Sequence, residues 1–383
     1  MPTDVNVDCP TLPLARALAE WSAGEPRRAA VASAVTHLAE AAARLSRIIA
    51  ASPLRDAGPP GTPATTVPPS GAMPGTALPV VATPGTAPPG VATGANASGD
   101  EQKPLDVEAE LLIVAALRGC DVAAVCSEES EDPIVIREGG SLVVTLDPVD
   151  GSSNIETLAP IGTIFSILPA DGPGGVASLA LRPGRDQLAA GLFVYGPSTM
   201  LVLTVGEGTD LYALDPDTGD FLRTRRGVEL PADAHEYAIN ASNARHWGPG
   251  IRDYIADLVN GALGPREREF NMRWLASLVG EAYRIFIRGG IFLYPADSRP
   301  GYENGRIRLV YEANPVAMLC EQAGGVATDG IRRILDIQPT GLHQRVPFVF
   351  GSRSKVERVA RYLQAPPAAQ QRSPLFNDRG LFR

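Results

Sequence analysis

Apolar residues in the segment EPRRAAVASAVTHLAEAAARLSRIIA return at Val31, Val35, Leu38, Ala42, Leu45 and Ile49. That spacing predicts one long amphipathic helix over 26–51. The pattern then stops. Between Ala57 and Gly94 there are ten prolines, seven glycines, no charge and three copies of Pro-Gly-Thr. Such a tract buries too little apolar area to offset its ordering entropy, so a low-complexity insert is expected over 57–95. Glycine keeps no three-residue period, which excludes a collagen-like reading.

Patterned sequence resumes near Asp100. A polar start leads into a helix predicted to end near Gly119. Short apolar runs then follow as strands: DVAAVCSEE, SLVVTLDPVDG, GTIFSIL, AAGLFVYG and MLVLTVGEG. LYALDPDTGDFLRT places a turn-rich D-x-D-x-x-G between two β runs and predicts a hairpin. Farther on, helices are expected over 248–260 and 271–288. GGIFLYP reads as a turn, and IRLVYEANPVAMLCEQAGG as a strand followed by a helix that opens at Asn314-Pro315. Helices and strands in mixed order predict a layered α/β sandwich in two halves, 1–206 and 207–365, with a tail over 366–383.

Chemistry enters where the apolar runs end. Ala123–Cys126 is followed by Ser127-Glu128-Glu129, the run from Ser141 ends in Asp147-Pro148-Val149-Asp150, and the run from Ile307 ends in Glu312. Asp106 lies beside a helix start, near Asp100 and Glu101. Taken singly, each acid reads as a solvated surface charge. Together at the carboxyl ends of strands they can converge, and converging carboxylates take up protons unless a cation holds them. Oxygen-only ligands suit a hard divalent ion such as Mg²⁺, with Mn²⁺ as a substitute. In LDPVDGSSNIE, Pro148 fixes the turn and Gly151 admits close backbone approach. Ser152, Ser153 and Asn154 then offer hydroxyls and amides at a helix start, which is a phosphate seat. The combination predicts metal-dependent phosphoryl chemistry. Neither an aspartyl-phosphatase D-x-D nor a nucleophile-elbow G-x-S-x-G fits this stretch.

Composition narrows the partners. A net charge of −9 over 383 residues argues against general binding to nucleic acid or anionic lipid. No run reaches the ~18 apolar residues of a membrane span. The first residues, MPTDVNVDCP, lack the basic-then-apolar order of a secretory signal. Cys9, Cys120, Cys126 and Cys320 form no C-x-x-C pair, and four histidines show no zinc spacing. A cytoplasmic protein with reduced thiols is the expectation.

KPLDV, CSEES, LDPVDGSSNIETLAPIGTIFSI, GGIFLYP and GRIRLVYEANP resemble class I fructose-1,6-bisphosphatase, within the lithium-sensitive, Mg²⁺-dependent phosphatase superfamily. The resemblance runs from about residue 26 to 363, apart from the insert. It implies metal ligation by Glu128, Glu129, Asp147, the Val149 carbonyl, Asp150 and Glu312, with Asp100 approaching as a loop acid. Asp106 and Glu129 would activate the attacking water, with Arg308 close to them. Gly151, Ser152 and Ser153 would hold the phosphate being cleaved, beside Asp150. Asn240, Tyr294 and Arg273 would grip a distal 6-phosphate, Arg273 reaching over from a neighbouring subunit of a homotetramer. Arg306 would contact the sugar. The chain departs from the family at Trp274 and Asn243, each in place of a tyrosine, and at Ser141-Leu142, in place of the Lys-Tyr pair of AMP-sensitive members. The implied reaction converts fructose 1,6-bisphosphate to fructose 6-phosphate and phosphate. Sedoheptulose 1,7-bisphosphate is the rival substrate, an inositol- or nucleotide-type monophosphatase a weaker one, and a non-catalytic metabolite-binding protein the reading from another class.

Overall fold

The computed structural model describes residues 11–56, 103–172 and 175–364. The whole insert over 57–95, Asp100, Cys9 and the tail over 366–383 lie outside the described residues.

The chain runs α1 (Leu14–Ser22), α2 (Pro26–Asp56), α3 (Pro104–Leu117), β1 (Val122–Ser127), β2 (Ile134–Val135), β3 (Leu142–Asp150) and β4 (Ile161–Pro169). Next come α4 (Val176–Ala180), β5 (Ala189–Tyr195), β6 (Thr199–Thr204), β7 (Thr209–Leu214) and β8 (Phe221–Arg225). The second half holds β9 (Glu236–Ile239), α5 (Pro249–Val259), β10 (Asn271–Met272), α6 (Leu278–Arg288), β11 (Ile291–Tyr294) and β12 (Ile307–Arg308). It ends with α7 (Asn314–Gln322), β13 (Val326–Thr328), β14 (Arg345–Val346), β15 (Phe348–Gly351) and α8 (Arg353–Gln364).

β1 to β8 form one sheet in the order β2-β1-β3-β4-β5-β6-β7-β8, parallel between β1 and β3 and antiparallel elsewhere. A second sheet has the order β10-β9-β11-β15-β13. The first sheet takes in residues as far as Arg225, and the second begins at Glu236.

Apolar clusters fill the gaps between five layers. Helices α1–α3 pack Leu18, Val35, Leu38, Leu45, Ile113 and Leu117 onto one face of the first sheet. Its other face meets α6 and α7, which also cover the second sheet through Phe286, Leu319, Phe292 and Phe350. α5 and α8 close the outside with Tyr254, Leu258, Val356 and Val359. The result is the α-β-α-β-α sandwich. With both faces covered, β3 and β4 are buried at every position, so they read as continuous apolar runs rather than alternating ones.

Two expectations are corrected. The helix over 271–288 begins only at Leu278. Asn271–Met272 pair as a strand with β9, and Ser277 caps the helix by accepting from the Gly280 amide. The strand from Ile307 stops at Arg308. Leu309–Ala313 form a π-helical turn that runs straight into α7, so Glu312 sits on a helical turn and not at a strand end. GGIFLYP, read as a turn, contributes the turn through its two glycines and then strand β11, at the centre of the second sheet.

Candidate active site

The C-terminal ends of β1 and β3 open into a cleft of about 480 Å³. Its floor depends on an irregularity in β3. Asp147 and Asp150 stand three positions apart, which in a regular strand turns two side chains to opposite faces. Asp147 pairs with Ile164 but Asp150 with Gly162, so β3 carries an extra residue between them. This bulge brings both carboxylates to one side. Thr163 Oγ1 fastens it by donating to the Pro148 carbonyl at 2.7 Å. Glu128 comes alongside because its amide extends the parallel β1–β3 ladder to the Leu146 carbonyl at 2.9 Å.

Asp147, Asp150 and Glu312 are all buried, and each offers an oxygen within 4.8 Å of the others. Burial raises the pKa of all three above the usual carboxylate range, and repulsion from neighbouring acids, Glu128 on Asp147 and Asp150, and Asp150 on Glu312, raises it further. Burial likewise pushes Glu128 up, with Glu312 beside it adding to the shift. The nearest compensating cation is Arg308, whose Nη2 lies 3.1 Å from Glu128 Oε1. Its backbone amide also donates to Glu312 Oε2 at 2.5 Å. Arg308, with Arg345 acting on Glu312, still leaves an excess of negative charge among four buried acids, which suits a divalent cation held by oxygen.

Asp150 is held on its other side by α6. Ser277 Oγ donates to Asp150 Oδ2 at 3.1 Å and the Val279 amide at 2.8 Å. Sequence reasoning missed Ser277, since it lay inside the helix expected over 271–288. A serine directly before the apolar Leu278-Val279 is nonetheless an N-cap signal. Gly151 follows Asp150 in the left-handed region at φ 76°, where a Cβ would meet Ser277 Cβ at 3.0 Å. Ser152–Asn154 then make one 3-10 turn, anchored where Asn154 Nδ2 donates to the Leu275 carbonyl at 2.9 Å.

At the cleft wall, Asp106 in the first turn of α3 is buried. Its Oδ2 accepts from the Lys103 amide at 2.7 Å, while Oδ1 has no hydrogen-bond partner among the described residues. Burial raises its pKa to about 6, with Glu129 contributing in the same direction. Lys103, missed as a cleft residue, lies beside it.

The far end of the cleft is uncharged except for Arg306. Asn240 caps a 3-10 turn by accepting from the Ser242 amide. Tyr294 ends β11 and packs against Trp274 and Phe292, the last two stacked at 6.0 Å. Arg306 Nη1 donates to the Tyr302 hydroxyl at 2.8 Å. Of the expected site residues, Asp106, Glu128, Glu129, Asp147, Val149, Asp150, Gly151, Ser152, Ser153, Asn240, Tyr294, Arg306, Arg308 and Glu312 line this one cleft. Arg273 does not. It is exposed beyond β10, and its Nε lies 3.8 Å from Glu236. Asp100 lies outside the described residues. Asn243 sits behind Asn240 and Tyr294, at a small side cavity.

Residues 86–226 match the family described as "Fructose-1-6-bisphosphatase, N-terminal domain", and residues 230–364 match "Fructose-1-6-bisphosphatase, C-terminal domain". The chain is 54% identical over 292 residues to a class 1 fructose-1,6-bisphosphatase of Sinorhizobium medicae, covering 76% of this chain and 84% of that protein. A second relative, from Azorhizobium caulinodans and of the same name, is 49% identical over 348 residues, 90% of this chain and 97% of its own length. Among solved structures, Leishmania major fructose-1,6-bisphosphatase in its holo form superimposes with a TM-score of 0.77 at 30% identity. That match covers 93% of this chain and 99% of the other.

Proposed function

The chain belongs to the class 1 fructose-1,6-bisphosphatase family, and from that membership we propose how its cleft works. The protein hydrolyses the 1-phosphate of D-fructose 1,6-bisphosphate, giving fructose 6-phosphate and inorganic phosphate. One observation carries the assignment of ends. A single cleft has a crowd of buried carboxylates beside a phosphate-seating turn at one end. Asn240, Tyr294 and Arg306 stand at the other.

The carboxylate set fits Mg²⁺, with Mn²⁺ as a substitute. Glu128, Glu129, Asp147, the Val149 carbonyl, Asp150 and Glu312 would hold it, and Asp100 would join them from outside the described residues. When bound, such ions offset the charge of the phosphate and make a nearby water acidic. The protein's own groups supply the rest. Asp106 and Glu129 take the proton of the attacking water, and the open Oδ1 of Asp106 supports this role. The left-handed turn at Gly151 aims the amides and hydroxyls of Ser152 and Ser153 at the phosphate being cleaved. Arg308 holds Glu128 and Glu312 in place. Asn240 and Tyr294 donate to the 6-phosphate, and Arg306 meets the sugar.

Arg273 stands outside its own cleft, which supports the reading that it serves a neighbouring subunit of a homotetramer. A cytoplasmic setting, with use in gluconeogenesis or the Calvin cycle, completes the proposal. The buried free thiols Cys120, Cys126 and Cys320 suit a reducing compartment. Among the described residues, no helix is long and apolar enough to cross a membrane. The test is Asp150→Ala, expected to lose most turnover; near-normal rates would contradict the ligand assignment.

A further inference from the structure

Arg306 reaches the far end of the cleft from a loop over 295–306, which leaves β11 and returns to β12. Tyr302 is the hub of that loop. Its amide donates to the Arg299 carbonyl at 3.0 Å, and its carbonyl accepts from the Asp297 amide at 3.2 Å and the Gly305 amide at 3.0 Å. Gly305 lies in the left-handed region at φ 77°, where a Cβ would meet the Val346 carbonyl carbon at 2.4 Å. The return to β12 therefore requires glycine. The Tyr302 side chain is half-buried and does not itself line the cleft.

Two guanidinium groups meet at that side chain. Arg306 Nη1 donates to the Tyr302 hydroxyl at 2.8 Å, and its guanidinium carbon lies 4.7 Å from the ring centroid. The guanidinium carbon of Arg299 lies 4.0 Å from the same centroid. Two cations at one ring repel unless one of them is offset. Buried Asp297 offsets Arg299: its Oδ1 accepts from the Arg299 amide and from Nε, both at 3.0 Å, and its Oδ2 accepts from Nη2. Asp297 is fixed in turn by a β-bridge to Trp247. Arg299, Tyr302 and Arg306 all act electrostatically on Tyr294, which places the set at the far end of the cleft. A free arginine gives up several rotamers when it grips a ligand, whereas a stacked and hydrogen-bonded one has given them up beforehand.

We propose that Tyr302 is a positioning residue: its ring and hydroxyl preset the Arg306 guanidinium for substrate, and Arg299, locked on Asp297, steadies the ring. This rests on the reading that Arg306 meets the sugar bisphosphate. Tyr302 touches no substrate atom and acts only through Arg306.

A double-variant cycle on the full chain tests this, with steady-state kinetics on fructose 1,6-bisphosphate and a thermal melt of each variant. Tyr302→Phe keeps the ring and the loop and removes only the hydroxyl. Its KM should rise roughly 2- to 10-fold, the worth of one preordered side chain. Its kcat should hold, because the carboxylates at the other end of the cleft are untouched. Arg306→Met should raise KM further, and adding Tyr302→Phe to it should change nothing more. A raised KM in Arg306→Met beside an unchanged KM in Tyr302→Phe overturns the proposal and leaves the reading of Arg306 intact. Additive effects in the double variant overturn it too, as does a Tyr302→Phe effect confined to Tm. An unchanged KM in Arg306→Met overturns both. Should Arg306→Met fail to fold, Arg306→Gln takes its place in the cycle.

Discussion

Ser277 and Asp150, 127 positions apart, meet across 3.1 Å, so the N-terminus of α6 holds one of the clustered carboxylates. The same hydroxyl also caps the helix through the Gly280 amide. Ser277→Ala should therefore cost ~1 kcal/mol of stability. It should also raise the Mg²⁺ concentration needed for half-maximal rate, because Asp150 loses one of the donors that favour its ionised form. Metal titration of turnover checks this; an unchanged metal requirement would make Ser277 a helix cap only.

Asp147→Asn removes a charge from the centre of the repelling cluster, where Glu128, Asp150 and Glu312 all raise the pKa of Asp147. The variant should lose most activity and yet melt higher than wild type in EDTA. Its stabilisation by Mg²⁺ should shrink. Calorimetry with and without metal reads all of this, and a lower Tm in EDTA would contradict the repulsion argument.

The pH dependence of the metal-free protein follows from the same groups. Asp106, Asp150, Glu128 and Glu312 all titrate higher when folded than as free carboxylates. The folded chain thus binds more protons than the unfolded one between the two values. The stability this confers is complete near pH 4 and is lost as pH rises, through about 6 for Asp106 and higher for Glu128. Tm in EDTA should fall over that window, and Mg²⁺ should flatten the slope by replacing the protons. Activity should run the opposite way. With Mg²⁺ present, the rate should drop below pH 6 as Asp106 loses its capacity to accept a proton, and Asp106→Asn should be slow throughout.

Gly151→Ala forces a side chain into the left-handed region and against Ser277. A loss of ~1–2 kcal/mol is expected from the backbone alone, together with a raised KM as the phosphate turn shifts. Thermal melts and steady-state kinetics measure the two effects separately.

Arg273→Ala should raise KM with little change in kcat. If Arg273 reaches a neighbouring cleft as proposed, mixed assemblies of Arg273→Ala and Asp150→Ala subunits should show a lower KM than Arg273→Ala alone, since the Asp150→Ala subunit lends its arginine to the other's intact acids. An unchanged KM would confine Arg273 to its own chain.

Much of the site was legible because its chemistry is contiguous. Asp147 to Asn154 carries two of the clustered acids, the left-handed glycine and the turn proposed to seat phosphate in one stretch, and the strand ends bring Glu128 alongside. The layered fold was legible from helices and strands following one another in mixed order. Three things were not legible. The D-x-x-D spacing does not announce the bulge that puts both acids on one face, because a bulge is set by pairing with Ile164 and Gly162 across the sheet. The π-helical turn at Glu312 looks β-like in sequence, since Leu309, Val310 and Tyr311 are apolar and β-prone, and burial against the sheets overrides that preference. Ser277 was hidden by reading 271–288 as one helix, although its role depends on a partner 127 positions away.

Phosphate release with Mg²⁺ from fructose 1,6-bisphosphate, sedoheptulose 1,7-bisphosphate and inositol 1-phosphate tests the central claim most directly. Rapid release from fructose 1,6-bisphosphate, abolished by EDTA and nearly absent with inositol 1-phosphate, is the predicted result. No release from fructose 1,6-bisphosphate, or undiminished release in EDTA, would contradict it.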